Sequence, residues 1–324
     1  MKEARAMTIL MPHIAARLFG EPLLIDPGKL AAIVLGLGGR IVEGGINLSP
    51  DLVAIDHVAF RGGRPSDAVM ANAVRGAALG RVGDPLGNAY ERRGVGDRLV
   101  PRVGNVGVIA VEGTLVHKGK FVGQSSGETS YEGLQAQIAR ATRDDSIKGV
   151  VLEVDSFGGE AAGAFETAGM IRELSAAKPT LAILTDFALS AGYLMASQAR
   201  QVVMGETGVA GSIGAVTMHY DMSRRLAENG VTVTVIASGA HKADGNSFAP
   251  LPDEVRGAIQ ARLDRSREIF AQAVEAGRGK RLDRVAALAT EAEIYHGEDA
   301  VKAGLVDGLI DPQRAFKAFV DRIS

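Results

Sequence analysis

The sequence predicts an α/β fold built on a mostly parallel sheet, and three observations predict it. From about Val103 onward, short apolar runs alternate with segments of helical period. The runs are nearly continuous in Val, Ile, Leu and Ala instead of alternating with polar residues, as expected of strands covered by helices. Glycine is abundant, at 41 residues, and gathers where these runs end, which suits tight turns and close backbone approaches.

The elements follow in order. Val106 to Val116, VGVIAVEGTLV, reads as a buried strand, followed by a polar Gly/Ser-rich loop from His117 to Thr129. That loop has little to bury, so a lid or channel edge is expected there. Ser130 is placed to cap a helix carrying Leu134, Ile138 and Ala141 at helical spacing. The strand IKGVVLEVDS runs into Phe157-Gly158-Gly159, a helix follows to about Ala177, and TLAILTD is the next strand. VVMGE, a helix near Ser223–Asn229 and the strand VTVTVIASG continue the alternation. A long helix from Asp253 to about Gly277, a short return GLVDGLI and an amphipathic helix from Pro312 complete it. Residues 1–100 read differently, mixing short apolar stretches with Gly- and Arg-rich ones. They are taken as an N-terminal extension with a linker near 80–102, and 101–324 as the main domain.

Composition excludes several functions. With 324 residues there is ample chain for a core, and 46% hydrophobic with 23% charged residues is ordinary for a globular protein. A net charge of −2 offers no electrostatic footprint for nucleic acid or an anionic membrane. The absence of cysteine removes disulfides, thiolate nucleophiles and Cys-ligated metal. The six histidines are scattered without ligand spacing, so no metal and no cofactor is expected. The apolar stretch Leu30–Leu37 is far too short to span a bilayer, and Pro12, His13 and Arg17 interrupt any signal-peptide core. A cytoplasmic location is expected.

Three loops at strand ends could carry chemistry, since catalytic groups collect there in such sheets. In Asp155-Ser156-Phe157-Gly158-Gly159-Glu160, adjacent glycines can turn backbone N–H groups into an oxyanion hole, or simply start a helix. Ser190 stands where the helix after TLAILTD would begin, either as a nucleophile near the positive end of the helix dipole or as an ordinary N-cap. Lys242 lies in Ser238-Gly239-Ala240-His241-Lys242-Ala243-Asp244 and could serve as a base, because burial can lower a lysine pKa from about 10.4 towards neutrality. The alternative is a solvated loop lysine, with His241 as a competing base.

Taken in order, VIAVEGTLV, VDSFGGE, ALSAGYLMASQA, GVAGSIGAV, SGAHKADGN and EIYHGEDAVKAGLVDG resemble the signal peptide peptidase A family, in its phage and prophage head-maturation branch. The resemblance covers roughly residues 103–311. It implies the Clp protease/crotonase-like fold of repeated ββα units, assembled as a ring-shaped homo-oligomer. It also implies a serine endopeptidase with a Ser–Lys dyad: Ser190 as nucleophile and Lys242 as general base. Gly158, Gly159 and Ala191 match the oxyanion hole, with the N–H groups of Gly159 and Ala191 preferred, and Ser212 matches a supporting serine. Phe157 departs from the family pattern, which commonly has proline there. The implied substrates are scaffold or other capsid-assembly proteins, including the enzyme itself, in the host cytoplasm or within a procapsid. Two rivals remain: a crotonase-type acyl-CoA enzyme and an inactive assembly protein. Phe316, Phe319, Val320 and Ile323, with Val255, Ile259, Leu263, Ile269 and Phe270, are the apolar residues offered for assembly or for an internal core.

Overall fold

A twisted sheet organises the chain in the computed structural model, which describes residues 21–27, 30, 99–119, 124–125 and 127–324. Most of the expected extension and linker, and the middle of the 117–129 loop, lie outside the described residues. The strands are β1 (Leu23–Ile25), β2 (Arg102–Val103), β3 (Val106–Val116), β4 (Gln124–Ser125), β5 (Glu128–Ser130), β6 (Gly149–Glu160), β7 (Thr180–Leu189), β8 (Gln201–Met204), β9 (Val209–Gly211), β10 (Ile294–His296) and β11 (Gly308–Leu309). The helices are α1 (Tyr131–Arg143), α2 (Ala164–Ala177), α3 (Ala191–Ala196), α4 (Ser223–Glu228), α5 (Asp253–Arg278), α6 (Arg284–Ala289), α7 (Gly297–Lys302) and α8 (Pro312–Ile323).

The central path runs β10-β9-β7-β6-β3-β5-β4. Strands β5, β3, β6 and β7 are parallel, and β7 also runs parallel to both β8 and β9. This is the expected α/β fold on a mostly parallel sheet, in which β6 and β7 each lead into a helix. Register shifts fall between Glu112 and Thr114 on β3, and between Val154 and Ser156 on β6. Beyond them, β7 exchanges β8 for β9 as neighbour, so the strand tails bend away as a second tier. The tails carry the site.

Period-two burial gives the sheet two apolar faces. Ile109, Val111, Leu152, Val154, Ala182 and Leu184 face α1, α2 and α3. Val106, Val108, Val151, Leu181, Ile183 and Val203 face α8. Ser130 caps α1 as expected, its hydroxyl accepting from the Gly133 N–H at 3.1 Å. Phe316 and Phe319 of α8 are buried in the second face and Phe270 in the first, so these aromatics serve the core of a single chain. Arg278, at the inner end of α5, is buried and grips Asp307 with two guanidinium nitrogens, at 2.8 and 3.1 Å. Asp307 also accepts from the Val202 N–H, which ties α5 to β8.

The expected strand VTVTVIASG does not form. Residues 231–239 join no ladder, and Val231, Val233, Val235 and Ile236 are exposed. An alternating Val/Thr run becomes a strand only when an edge receives its N–H and C=O groups, and no described edge does. The segment from 218 to 252 and the outer half of α5 together form an arm with no buried residue. Val255, Ile259 and Leu263 are half-exposed there.

Candidate functional site

Ser190 terminates β7 and precedes α3 with φ 52° and ψ −120°, a conformation that non-glycine residues rarely adopt. Such a turn costs on the order of 1–3 kcal/mol and persists only when its surroundings over-determine it. Here they do. The Ser190 N–H donates to the Gly211 carbonyl at 2.9 Å, and the Leu194 N–H donates to the Ser190 carbonyl at 2.9 Å. Tyr193, fully buried on α3, donates its hydroxyl to the Leu305 carbonyl at 2.9 Å. Burial pushes the Tyr193 phenol well above its ordinary range, which keeps it a donor.

The sequence left Ser190 open between helix cap and nucleophile. Its side chain makes no capping hydrogen bond, and its Oγ is buried without a hydrogen-bond partner among the described residues. An unsatisfied buried hydroxyl is costly, so the capping role gives no account of it.

The glycine loop packs directly against this serine. Gly158 has φ 95°, and a methyl group there would stand 3.0 Å from both Ser190 Cβ and the Ala191 nitrogen, while colliding with the Leu24 carbonyl oxygen. A methyl group on Gly159 would collide with the Leu115 carbonyl. The helix-initiating alternative is not realised, because both glycines remain in β6 and α2 begins only after Gly163. The Gly158 N–H donates to Ser156 Oγ at 3.1 Å, and that hydroxyl donates to the Gly113 carbonyl at 2.6 Å. Ala191, as the first residue of α3, has an N–H with no intrahelical acceptor. Phe157 stacks on Phe187 with centroids 4.4 Å apart, so the residue that replaces the expected proline stiffens the loop through ring packing.

Ser212 sits next to the nucleophile candidate. Leu189 and Gly211 are in register, so Ser190 and Ser212 leave neighbouring strands, and Ser212 also has positive φ, at 58°. Its N–H donates to the Glu293 carbonyl at 2.9 Å.

Lys242 is not brought to Ser190 within one chain. It lies on the exposed arm, in a turn where its N–H reaches the Gly239 carbonyl at 3.2 Å. Its ammonium has no hydrogen-bond or ion-pair partner among the described residues. His241, the competing base, is exposed and bound to Asp244 at 2.9 Å. Among the described residues, no group of three His, Cys, Asp or Glu side chains could hold a metal ion, and no helix is long and apolar enough to cross a membrane.

Two features escaped the sequence reading. One is β1, whose Leu-Leu-Ile between Pro22 and Pro27 was visible only as a short apolar run. The other is a carboxylate cluster on the sheet, Glu112 opposite Asp155 with Glu153 two residues earlier on the same strand. Burial first, and then the charges of Glu153 and Asp155, push the Glu112 carboxyl up to about 7.

The chain is 35% identical over 314 residues to the head-tail preconnector protein GP5 of Enterobacteria phage P21, covering 97% of this chain and 58% of that protein. It is 34% identical over 313 residues to capsid assembly protease C of Escherichia phage lambda, covering 97% and 66%. The chain thus spans about three-fifths to two-thirds of the length of these relatives. Among solved structures, an enoyl-CoA hydratase from Shewanella pealeana overlaps 68% of this chain and 71% of its own, with TM-score 0.41 and 11% identity. A ClpP1 mutant from Listeria monocytogenes overlaps 64% and 94%, with TM-score 0.40 and 10% identity. Residues 172–321 match Peptidase family S49. With that match, and with one protease-named relative aligned along 97% of its length, this chain belongs to Peptidase family S49.

Proposed function

We propose that the chain is a serine endopeptidase whose nucleophile is Ser190 and whose base is Lys242, supplied by a second copy. The observation that carries the nucleophile is the buried, unpartnered Ser190 Oγ at positive φ, beside Gly158 and the Ala191 N–H. Lys242 is assigned to another copy because it rides an arm whose alternating Val/Thr run leaves Val231, Val233, Val235 and Ile236 exposed. An unpaired run of this kind is buried by adding to another chain's sheet, and that addition carries the lysine with it.

The chemistry is acyl transfer. Neutral Lys242 accepts the Ser190 hydroxyl proton as Oγ attacks the scissile carbonyl. The N–H groups of Gly159 and Ala191 receive the oxyanion, and one such donor is typically worth about 3 kcal/mol of barrier. Lys242 then protonates the leaving amine, and water releases the acyl group. Ser212, one strand across, positions the lysine. No metal or cofactor takes part.

The names of the two phage relatives point to substrates among capsid-assembly proteins, the enzyme itself included, met in the host cytoplasm or within a procapsid. Residues 101–324 form the peptidase unit of a homo-oligomeric ring. The test is labelling by a fluorophosphonate with mass-spectrometric assignment, together with cleavage of a candidate capsid protein. Adduct on Ser190, and loss of both signals in Ser190→Ala, is expected. Undiminished cleavage by Ser190→Ala would sink the assignment.

A further inference from the structure

β1 lies in a slot one strand wide beside Ser190, and both of its edges are bonded. On one side, Leu23, Leu24 and Ile25 pair antiparallel with Glu160, Gly159 and Gly158, and the Asp26 N–H donates to the Phe157 carbonyl at 2.8 Å. On the other, Leu23 exchanges both backbone hydrogen bonds with Val216, at 2.8 and 2.9 Å. The Leu24 carbonyl oxygen lies against Gly158, where an added methyl group would stand 2.1 Å from it and 3.0 Å from both Ser190 Cβ and the Ala191 nitrogen.

The flanking residues end the strand on both sides. Pro22 and Pro27 have no N–H to extend a ladder. What remains is a short extended apolar peptide held by its backbone, with one carbonyl against the glycine loop. That is how an extended polypeptide is recognised by strand addition: the main chain supplies the hydrogen bonds and alternate side chains enter pockets. A peptide substrate needs the same two edges, the Phe157–Glu160 tail and Val216, to bring a carbonyl to Ser190. Both cannot be used at once.

Resting on the peptidase reading above, we infer that residues Leu23–Ile25 occupy the substrate's own slot, so that the chain is latent until this segment leaves. The slot accepts an extended peptide with apolar side chains, and the segment is its intramolecular occupant. Because a strand can peel away without opening the core sheet, release is a local event.

The cysteine-free sequence permits a reversible lock. Leu23→Cys with Val216→Cys places two thiols on residues that are hydrogen-bonded antiparallel partners, whose Cα separation suits a disulfide. The full chain is labelled with a fluorophosphonate, oxidised and then reduced, with wild type as control. Labelling of Ser190 at least tenfold slower when oxidised, restored by reductant, is the expected result. In parallel, Leu24→Gly, which weakens the strand without a lock, should label at least tenfold faster than wild type while circular dichroism shows the sheet intact. Equal rates in the oxidised and reduced lock, or no acceleration in folded Leu24→Gly, would overturn the occlusion while leaving Ser190 as nucleophile. Absence of labelling in every form, wild type included, would remove the serine mechanism and the occlusion with it.

Discussion

The backbone N–H of Ser190 donates to the carbonyl of Gly211, so the serine elbow is anchored on the strand that leads into Ser212. Two strained serines therefore hang from adjacent strand ends, and the rigidity of one is borrowed from the other. Substitutions on this tier should act on catalysis before they act on folding.

Ser190→Ala and Lys242→Ala should each abolish proteolysis while leaving the melting temperature nearly unchanged. If the dyad forms between copies, mixing the two inactive proteins restores measurable activity, because some sites then combine an intact serine with an intact lysine. The peptidase rate of the mixture against either protein alone is the measurement. Lys242→Arg should not rescue, since a guanidinium stays protonated and cannot take the proton.

Gly158→Ala should lower turnover at least a hundredfold. Its φ of 95° disfavours any side chain, and a methyl group would crowd Ser190 Cβ and the Ala191 nitrogen at 3.0 Å. Gly192→Ala should behave similarly, because its methyl would stand 2.8 Å from the Ser156 carbonyl and tilt α3. Fluorophosphonate labelling rates, with circular dichroism as the folding control, check both.

Glu112 should make stability depend on pH. Its folded pKa is raised from 4.5 to about 7, so the native state holds a proton that the unfolded state has released. Stability therefore falls as pH rises across that window, and the full penalty is present above it. Glu112→Gln should raise the melting temperature relative to wild type at pH 8, by on the order of 1–2 kcal/mol of stability for a half-buried group, with the gap closing towards pH 4. A gap that is constant with pH would show that the carboxylate carries no such penalty.

Arg278→Ala should destabilise the chain by about 1.5–3 kcal/mol, because it removes a buried guanidinium that donates to the Asp307 carboxylate and to the Gly304 carbonyl, while Arg281 still holds Asp307. Burial pushes the Asp307 carboxyl up, but hydrogen bonds from Arg278 and the Val202 N–H, with the charges of Arg278 and Arg281, outweigh it and hold it below its ordinary value. That contribution is present above the unfolded carboxylate range and is lost as pH falls through the folded value. Denaturant unfolding at pH 7 and pH 3 should show the difference between wild type and variant shrinking at the lower pH.

The central strands were legible because burial on both faces writes itself as continuous apolar runs, as in Val106–Val116 and Gly149–Val154. The cap at Ser130 was legible because its chemistry is local. Ser190, Gly158 and Gly159 were legible as strand-end residues, but their backbone strain was not, since it is imposed by Gly211, Leu24 and Leu115 from distant parts of the chain. Val231–Gly239 misled because its alternation is that of a strand while no edge among the described residues receives it. Leu23–Ile25 was passed over because three apolar residues between prolines carry no period, and only tertiary pairing gives them meaning.

The separation of Ser190 on the body from Lys242 on the arm has a kinetic consequence. On the proposed pairing of Ser190 with Lys242 of a second copy, a single chain has no rate of its own. In dilute solution the output should rise as the square of the chain concentration, flattening only when nearly every copy has a neighbour. A freshly made chain would be harmless to the proteins around it, and confinement of many copies in a small volume would switch them on together. Activity measured over a hundredfold dilution series would reveal that order of reaction, and the chain's abundance would act as its clock.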